Sequence, residues 1–299
     1  MTETAEFSLA SDDGVEVFAR AWKCDEPPRA IVLVAHGMSE HSGRYDRVAR
    51  VLCEAGAAVY ALDHRGHGRT AAATGAGRTG ATGMDGLLAD IGRLRDTAQA
   101  EYGDGVPVVL FGHSMGALLA LGYAERAGRG LAGLVLSGSP GAREGVREQA
   151  QQIRSAADGG LGDEPLAALA SFAGESSRTP YDWLSRDEAE VDAYIADPLC
   201  GDDVPMTYGF LADLFALVAD EIEPDAIAQL PKSMPILLLT GEADPVSNGA
   251  EGVRELEARL RAASLTVEAI YYPDARHEVL NEINRDEVHA DLVGWLTRL

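Results

Sequence analysis

Short, unbroken apolar runs recur along the chain, separated by stretches whose apolar residues return at helical spacing. The runs are Ala30 to Ala35, Ala57 to Leu62, Val106 to Phe111, Leu131 to Leu136, Pro235 to Thr240 and Thr266 to Tyr272. Each is too short for a helix and lacks the alternation of a half-exposed strand, which predicts strands covered on both faces. Between them lie predicted helices: Arg44 to Ala55 closed by Gly56, a segment carrying Leu87, Leu88, Ile91 and Leu94, the stretch after Ser114, and one bearing Val253, Leu256 and Leu260. A last helix carries the stripe Val288, Leu292, Trp295 and Leu299, and Asn284 with Glu287 three residues on resembles a capping box. Strand and helix in regular alternation predict an α/β fold with a mostly parallel, doubly wound sheet. Ahead of it, Glu6 to Ser11 and Val15 to Trp22 read as a hairpin through Asp12-Asp13-Gly14. Residues 69–83, rich in Ala, Gly and Thr, read as a long surface loop.

The alternation stops between 141 and 231. Acidic, Ala-rich helical stretches replace it, and Phe210 to Ile222 leaves only Asp213, Asp220 and Glu221 polar, more apolar than an exposed helix should be. This predicts a helical cap at 141–231 inserted into a core formed by 1–140 and 232–299. The plainer alternative is that the apolar face of Phe210 to Ile222 simply packs on the main domain.

Composition narrows the function. With 25 Lys and Arg against 48 Asp and Glu, the 299-residue chain has a formal net charge of −23, which repels nucleic acid and anionic lipid surfaces. Cys24, Cys53 and Cys200 are odd in number and lack C-x-x-C spacing, so neither a disulfide framework nor a zinc or other metal site is expected. The acidic N-terminus lacks the basic-then-apolar order of an export signal, and no apolar run reaches membrane-spanning length. A cytoplasmic protein without stable membrane insertion follows as the expectation. Nothing in the pattern bears on oligomeric state.

The candidate chemistry centres on Gly112-His113-Ser114-Met115-Gly116, a G-x-S-x-G sequence between an apolar strand and a helix-forming stretch. Glycines two residues either side of Ser114 permit the sharp turn that lifts a serine hydroxyl out of a sheet. Such a serine needs a base, and the base needs a third group to orient it. In open α/β sheets functional groups gather beyond the carboxyl ends of the strands, where Asp244 and His277 follow the last two runs. The order Ser, Asp, His suits this architecture. Backbone N–H groups of Met115 and, after the Ala30 to Ala35 run, Met38 are the candidate oxyanion donors. Glu242 and Asp274 compete with Asp244 as ordinary loop charges. Of the other histidines, His289 reads as a surface residue, and His36, His41, His64, His67 and His113 as local structural hydrogen-bonders.

Taken together, His36-Gly37-Met38-Ser39-Glu40-His41-Ser42-Gly43-Arg44-Tyr45, Asp63-His64-Arg65-Gly66-His67-Gly68, Gly112 to Gly116, Asp197-Pro198-Leu199-Cys200, Asp244-Pro245-Val246 and His277-Glu278 resemble the α/β-hydrolase superfamily. Within it they are similar to the monoacylglycerol lipase and lysophospholipase branch, grouped with serine aminopeptidase-like hydrolases. Gly141 to Ala173 matches no motif of that branch. The resemblance implies Ser114 as nucleophile, His277 as base, Asp244 as orienter, Met38 and Met115 as oxyanion donors, a helical cap over the pocket and no cofactor. The expected substrate is a small-molecule ester with an apolar acyl group, since an apolar pocket gains roughly 25 cal/mol per Å² buried; Phe210, Leu214 and Phe215 of the cap are candidates for contacting it. Thioester or amide cleavage, aminopeptidase action, perhydrolysis and acyl transfer on the same three residues remain open, as does a ligand-binding protein of low turnover.

Overall fold

The computed structural model describes residues 2–166, 172 and 177–299. Its strands are β1 (Glu3–Ala10), β2 (Glu16–Lys23), β3 (Ala30–Ala35), β4 (Ala57–Leu62), β5 (Val108–His113), β6 (Leu131–Ser137), β7 (Ile236–Gly241) and β8 (Val267–Tyr272). They form one sheet in the order β1-β2-β4-β3-β5-β6-β7-β8, with β1, β2 and β4 paired antiparallel and every later pair parallel. The helices are α1 (Asp46–Glu54), α2 (Ala71–Thr74), α3 (Gly83–Tyr102), α4 (Met115–Ala127), α5 (Val146–Ala156), α6 (Glu188–Ala196), α7 (Tyr208–Glu221), α8 (Pro224–Ile227), α9 (Glu251–Ala262) and α10 (Arg285–Leu296).

The unbroken apolar runs are explained by burial on both sides. Every residue of β4, β5 and β7 is buried. Ile31, Leu33, Tyr60, Leu110 and Leu134 face a core completed by α3, α4 and α9, whereas Val32, Val34, Val59, Val109 and Val135 face one completed by α1 and α10. Because side chains alternate along a strand, each run must be apolar throughout to serve both layers. The hairpin forms as predicted, with Glu3 paired to Lys23 and Ala10 to Glu16.

Several expectations need correction. Residues 69–83 run mostly as exposed turns, as expected, but they are not wholly irregular or exposed. They contain α2, and Thr70 is buried, its hydroxyl donating to Asp63 O at 2.7 Å and accepting from Phe18 N at 2.9 Å. The small side chains of this stretch let its backbone pack closely: Thr207 Oγ1 donates to Gly77 O at 2.8 Å. Asn284 makes no capping hydrogen bond; its amide instead donates to Glu287 Oε2 at 3.0 Å. The α10 stripe ends at Trp295, since Leu299 is exposed. His289 is buried, its Nε2 3.1 Å from Leu280 O, because it lies one residue from Val288 on the covered side of α10.

The described residues between β6 and β7 form α5 to α8 and no strand of the sheet. Residues 167–171 and 173–176, within the Gly141 to Ala173 stretch that matched no motif and just beyond it, lie outside the described residues. Thr207 caps α7, accepting from Phe210 N at 3.2 Å, and α7 packs against α5, α4 and α3. The Asp63 to Gly68 segment is anchored by Arg65, 1% exposed, whose Nε donates to Asp90 Oδ2 at 2.7 Å and Nη1 to Asp13 Oδ2 at 2.5 Å. Stranding one member of such a buried pair costs about 3–5 kcal/mol.

Candidate active site

Ser114 occupies the turn between β5 and α4 with φ 52° and ψ −116°, a left-handed conformation that side chains rarely adopt. Its N–H donates to Ser137 O at 2.9 Å, which ties the turn to the end of β6. The flanking glycines are required by packing. A Cβ on Gly112 would fall on the Gly116 carbonyl, and one on Gly116 would fall on the carbonyl of Ala35. Met115 opens α4, so its N–H is one of the four without an intrahelical acceptor.

His277 follows β8 and is 2% exposed; its Nδ1 lies 3.0 Å from Oδ2 of Asp244, itself fully buried after β7. The other Asp244 oxygen accepts from Val246 N at 2.9 Å. A carboxylate only accepts, so Nδ1 carries the proton and Nε2 the lone pair. Burial works against the His277 imidazolium most strongly, but the charge and hydrogen bond of Asp244, with Glu278 and Glu40 beyond, outweigh it and raise the pKa above its ordinary value. The competitors are elsewhere: Glu242 pairs with Arg254 at 2.5 Å on the surface, and Asp274 is exposed. Ser114 and His277 line one cavity of about 20 Å³, together with Gly37, Met38 and Tyr194.

The second cavity at Ser114 is larger, about 330 Å³, and mainly apolar. Met38, Met115, Leu118, Leu214, Phe215 and Trp183 are among its walls. Of the three cap residues named from the sequence, Leu214 and Phe215 line this cavity, whereas Phe210 is 1% exposed and packs against the His67 ring at 5.5 Å.

Glu40 and Glu278, in the wall of the small cavity, belong to a charged network to which the sequence reading assigned no role. Arg44 donates to Glu278 Oε1 and Oε2 at 2.6 and 2.8 Å and to Glu40 Oε2 at 2.8 Å. Tyr45 OH and Gly37 N donate to the remaining Glu40 oxygen, at 2.8 and 2.5 Å. Burial would raise the Glu40 carboxyl, but the Arg44 charge, helped by His113, His36 and the Gly37 N–H, holds it down at about 2. Glu278 is lowered for the same reason. His113, 4.9 Å from the His277 ring, is pushed down to about 4 by burial and then by His277, so it stays neutral. The sequence signal for this network was the i, i+4 spacing of Glu40 and Arg44; its third member, Glu278, is 234 residues from Arg44.

Among the described residues, His41, Asp197 and Cys200 bring potential metal-ligand atoms within 4.8 Å of one another. His41 Nδ1 accepts from Gly43 N at 3.1 Å, so the proton sits on Nε2 and is given to Asp197 Oδ2 at 2.9 Å. That arrangement leaves His41 no free lone pair, and its role is to tie the loop after β3 to the residues after α6.

Residues 26–284 match the family described as serine aminopeptidase, S33, among the hydrolases. A monoacylglycerol lipase of Mycolicibacterium smegmatis is 32% identical over 98% of this chain and 96% of that protein. A human monoglyceride lipase is 32% identical over 92% of this chain and 88% of that protein. A highly thermostable carboxyl esterase from Bacillus coagulans, solved with glycerol, superposes with a TM-score of 0.92 at 31% identity, covering 99% of both chains. The sheet order, the serine turn and these likenesses agree, and the chain belongs to the serine aminopeptidase S33 family of α/β-hydrolases.

Proposed function

We propose that this protein hydrolyses carboxylic esters of the monoacylglycerol or lysophospholipid type, with Ser114 as nucleophile, His277 as general base and Asp244 as its orienter. The observation that carries the reading is the buried His277–Asp244 hydrogen bond of 3.0 Å at the cavity His277 shares with Ser114. It leaves Nε2 as the proton acceptor, in the tautomer a serine hydrolase requires. Ester hydrolysis agrees with the lipase and esterase relatives.

The two cavities divide the substrate between them. The acyl chain enters the apolar cavity beneath α5 and α7, contributed by the 141–231 cap, and the alcohol faces the small cavity beside Glu40, Tyr194 and Glu278. A polar leaving group suits that division by chemistry, since Glu40, Glu278 and Tyr194 line the small cavity, whereas Arg143 and Gln149 are the polar side chains that the large one adds to Ser114. Ser114 attacks the ester carbonyl as His277 takes its proton; the oxyanion is held by the N–H groups of Met38 and Met115, and each such donor is worth about 3 kcal/mol. His277 returns the proton to the leaving alcohol and then activates the water that cleaves the acyl-enzyme. No cofactor enters these steps. No helix among the described residues is long and apolar enough to cross a membrane, and three free thiols suit a reducing, cytoplasmic setting.

A fluorophosphonate probe labels the wild type and leaves Ser114→Ala unlabelled, with p-nitrophenyl ester turnover lost in the variant. Labelling of the variant with undiminished turnover would overturn the assignment. Rates across monoacylglycerols, lysophospholipids, thioesters and amino-acid anilides then rank the substrate classes, and a preference for anilides would replace esterase by aminopeptidase.

A further inference from the structure

A Cβ built on Gly37 would stand 3.3 Å from Ser114 Cβ and 3.2 Å from His113 Cδ2, so the Gly37 backbone runs directly past the nucleophile. Both polar groups of that glycine are engaged by buried side chains. Its N–H donates to Glu40 Oε1 at 2.5 Å, and its carbonyl oxygen lies 2.7 Å from His36 Nδ1. His36 is wholly buried, and its Nε2 accepts from His64 N at 2.9 Å. A backbone N–H can only donate, so Nε2 holds the lone pair and Nδ1 the proton. His36 therefore donates to Gly37 O. Burial, the largest influence on this ring, keeps it neutral and the tautomer fixed.

In a planar trans peptide the carbonyl oxygen and the following N–H point in opposite directions. Holding Gly37 O against His36 thus sends the Met38 N–H to the other side. Met38 lines both cavities that Ser114 lines. We propose that His36 and Glu40 are positioning residues that clamp the backbone on either side of Gly37, His36 through the carbonyl of the Gly37–Met38 peptide and Glu40 through the N–H of the preceding peptide, aiming the Met38 N–H at the oxygen of the reacting carbonyl. The proposal rests on the oxyanion role given to Met38 above. Without the clamp, rotation of the peptide would turn an oxygen toward the developing negative charge, which is repulsive where stabilisation is needed. The clamp is itself braced, because the other Glu40 oxygen accepts from Arg44 at 2.8 Å.

Two substitutions separate this role from simple packing. Asparagine can place an amide N–H where the Nδ1 proton of His36 stands but offers nothing to His64 N; glutamine can place its oxygen near Nε2 but loses the donor to Gly37. The full-length chain with His36→Asn or His36→Gln is assayed for kcat and KM on p-nitrophenyl butyrate and for Tm, beside wild type and Ser114→Ala. His36→Asn lowers Tm yet keeps kcat within about threefold, whereas His36→Gln loses about 10- to 100-fold in kcat at nearly constant KM. Glu40 supplies a second pair: Glu40→Gln retains an oxygen for Gly37 N–H but turns its NH2 on Arg44, so it loses some kcat, and Glu40→Leu, which keeps no acceptor for Gly37, loses several-fold more. Wild-type kcat in His36→Gln, or losses that follow Tm alone across all four variants, would overturn the clamp while Ser114→Ala stays inactive. Activity surviving in Ser114→Ala would instead overturn the reading beneath it.

Discussion

The guanidinium of Arg44 forks onto the carboxylate of Glu278 at 2.6 and 2.8 Å, joining the loop after β3 to the residue next to His277. The same Nη1 reaches Glu40, so one cation is shared by two buried carboxylates. Arg44→Met strands both and is expected to destabilise the fold by about 3–5 kcal/mol in urea denaturation at pH 7. The pH dependence has a definite sign. In the wild type Glu40 is depressed to about 2, so its contribution is full above the unfolded value of about 4.3 and is lost as pH falls toward 2. In the variant, burial without Arg44 raises both carboxyls, and protonating them relieves the strain. The stability gap therefore narrows on acidification; a gap that stays constant or widens would contradict the network.

Glu221 supplies the opposite case. It is 1% exposed at the end of α7, and neither carboxylate oxygen finds a hydrogen-bond partner among the described residues. Burial, then neighbouring Glu125, raises its pKa well above the ordinary value, and burial pushes Glu125 up to about 8, with Arg126 the opposing charge on both and Asp220 adding to the rise in Glu221. Groups with raised acid pKa values stabilise the fold fully below about pH 4.3, and that contribution is lost as pH rises through the folded values. Glu221→Gln is expected to have the higher Tm at pH 8 and to converge with wild type near pH 4. Equal Tm values at pH 8 would mean the carboxyl finds a partner or water there.

On the proposed mechanism the raised pKa of His277 sets the acid limb of kcat/KM, because the base must be neutral. Activity in the wild type should fall as pH drops through a value above the ordinary 6.5 of histidine. Asp244→Asn removes the principal group raising that pKa and the acceptor that fixes the tautomer. Its acid limb should move to lower pH and its kcat fall by about 10³–10⁴. A pH–rate profile of both proteins decides it: an unmoved limb would assign the titration to another group.

Leu214 and Phe215 line the 330 Å³ cavity assigned to the acyl chain. Leu214→Trp should shift the preferred acyl length downward across p-nitrophenyl esters, with about 0.8 kcal/mol lost per methylene that no longer fits. The shortest ester should be hydrolysed at the wild-type rate. Uniform slowing at every length would place the acyl chain elsewhere.

The strand pattern, the turn at Ser114 and the order of Ser114, Asp244 and His277 were legible in the chain because each follows from local rules. Six residues buried on both faces must be apolar, and a strand turning sharply into a helix must carry small residues around the serine. The same local rules misjudged His289 and missed the buried Thr70 at the start of the 69–83 loop, whose surroundings come from distant segments, and they misread the capping box at Asn284, whose side chain turned to Glu287 instead of the backbone. They also named Phe210 with Leu214 and Phe215, since an apolar helix does not reveal which of its sides meets a cavity and which meets the core.

The sequence by itself determined the fold class and which residue types stand at the ends of the strands. Only the tertiary structure decided how their charges and hydrogen bonds are shared, because those depend on burial and on partners far apart in the chain. Arg44 with Glu278, His36 with Gly37 O and His64 N, and the buried Glu221 are all set by which side chains the packing excludes from water. Exclusion from water makes each pairing costly to break.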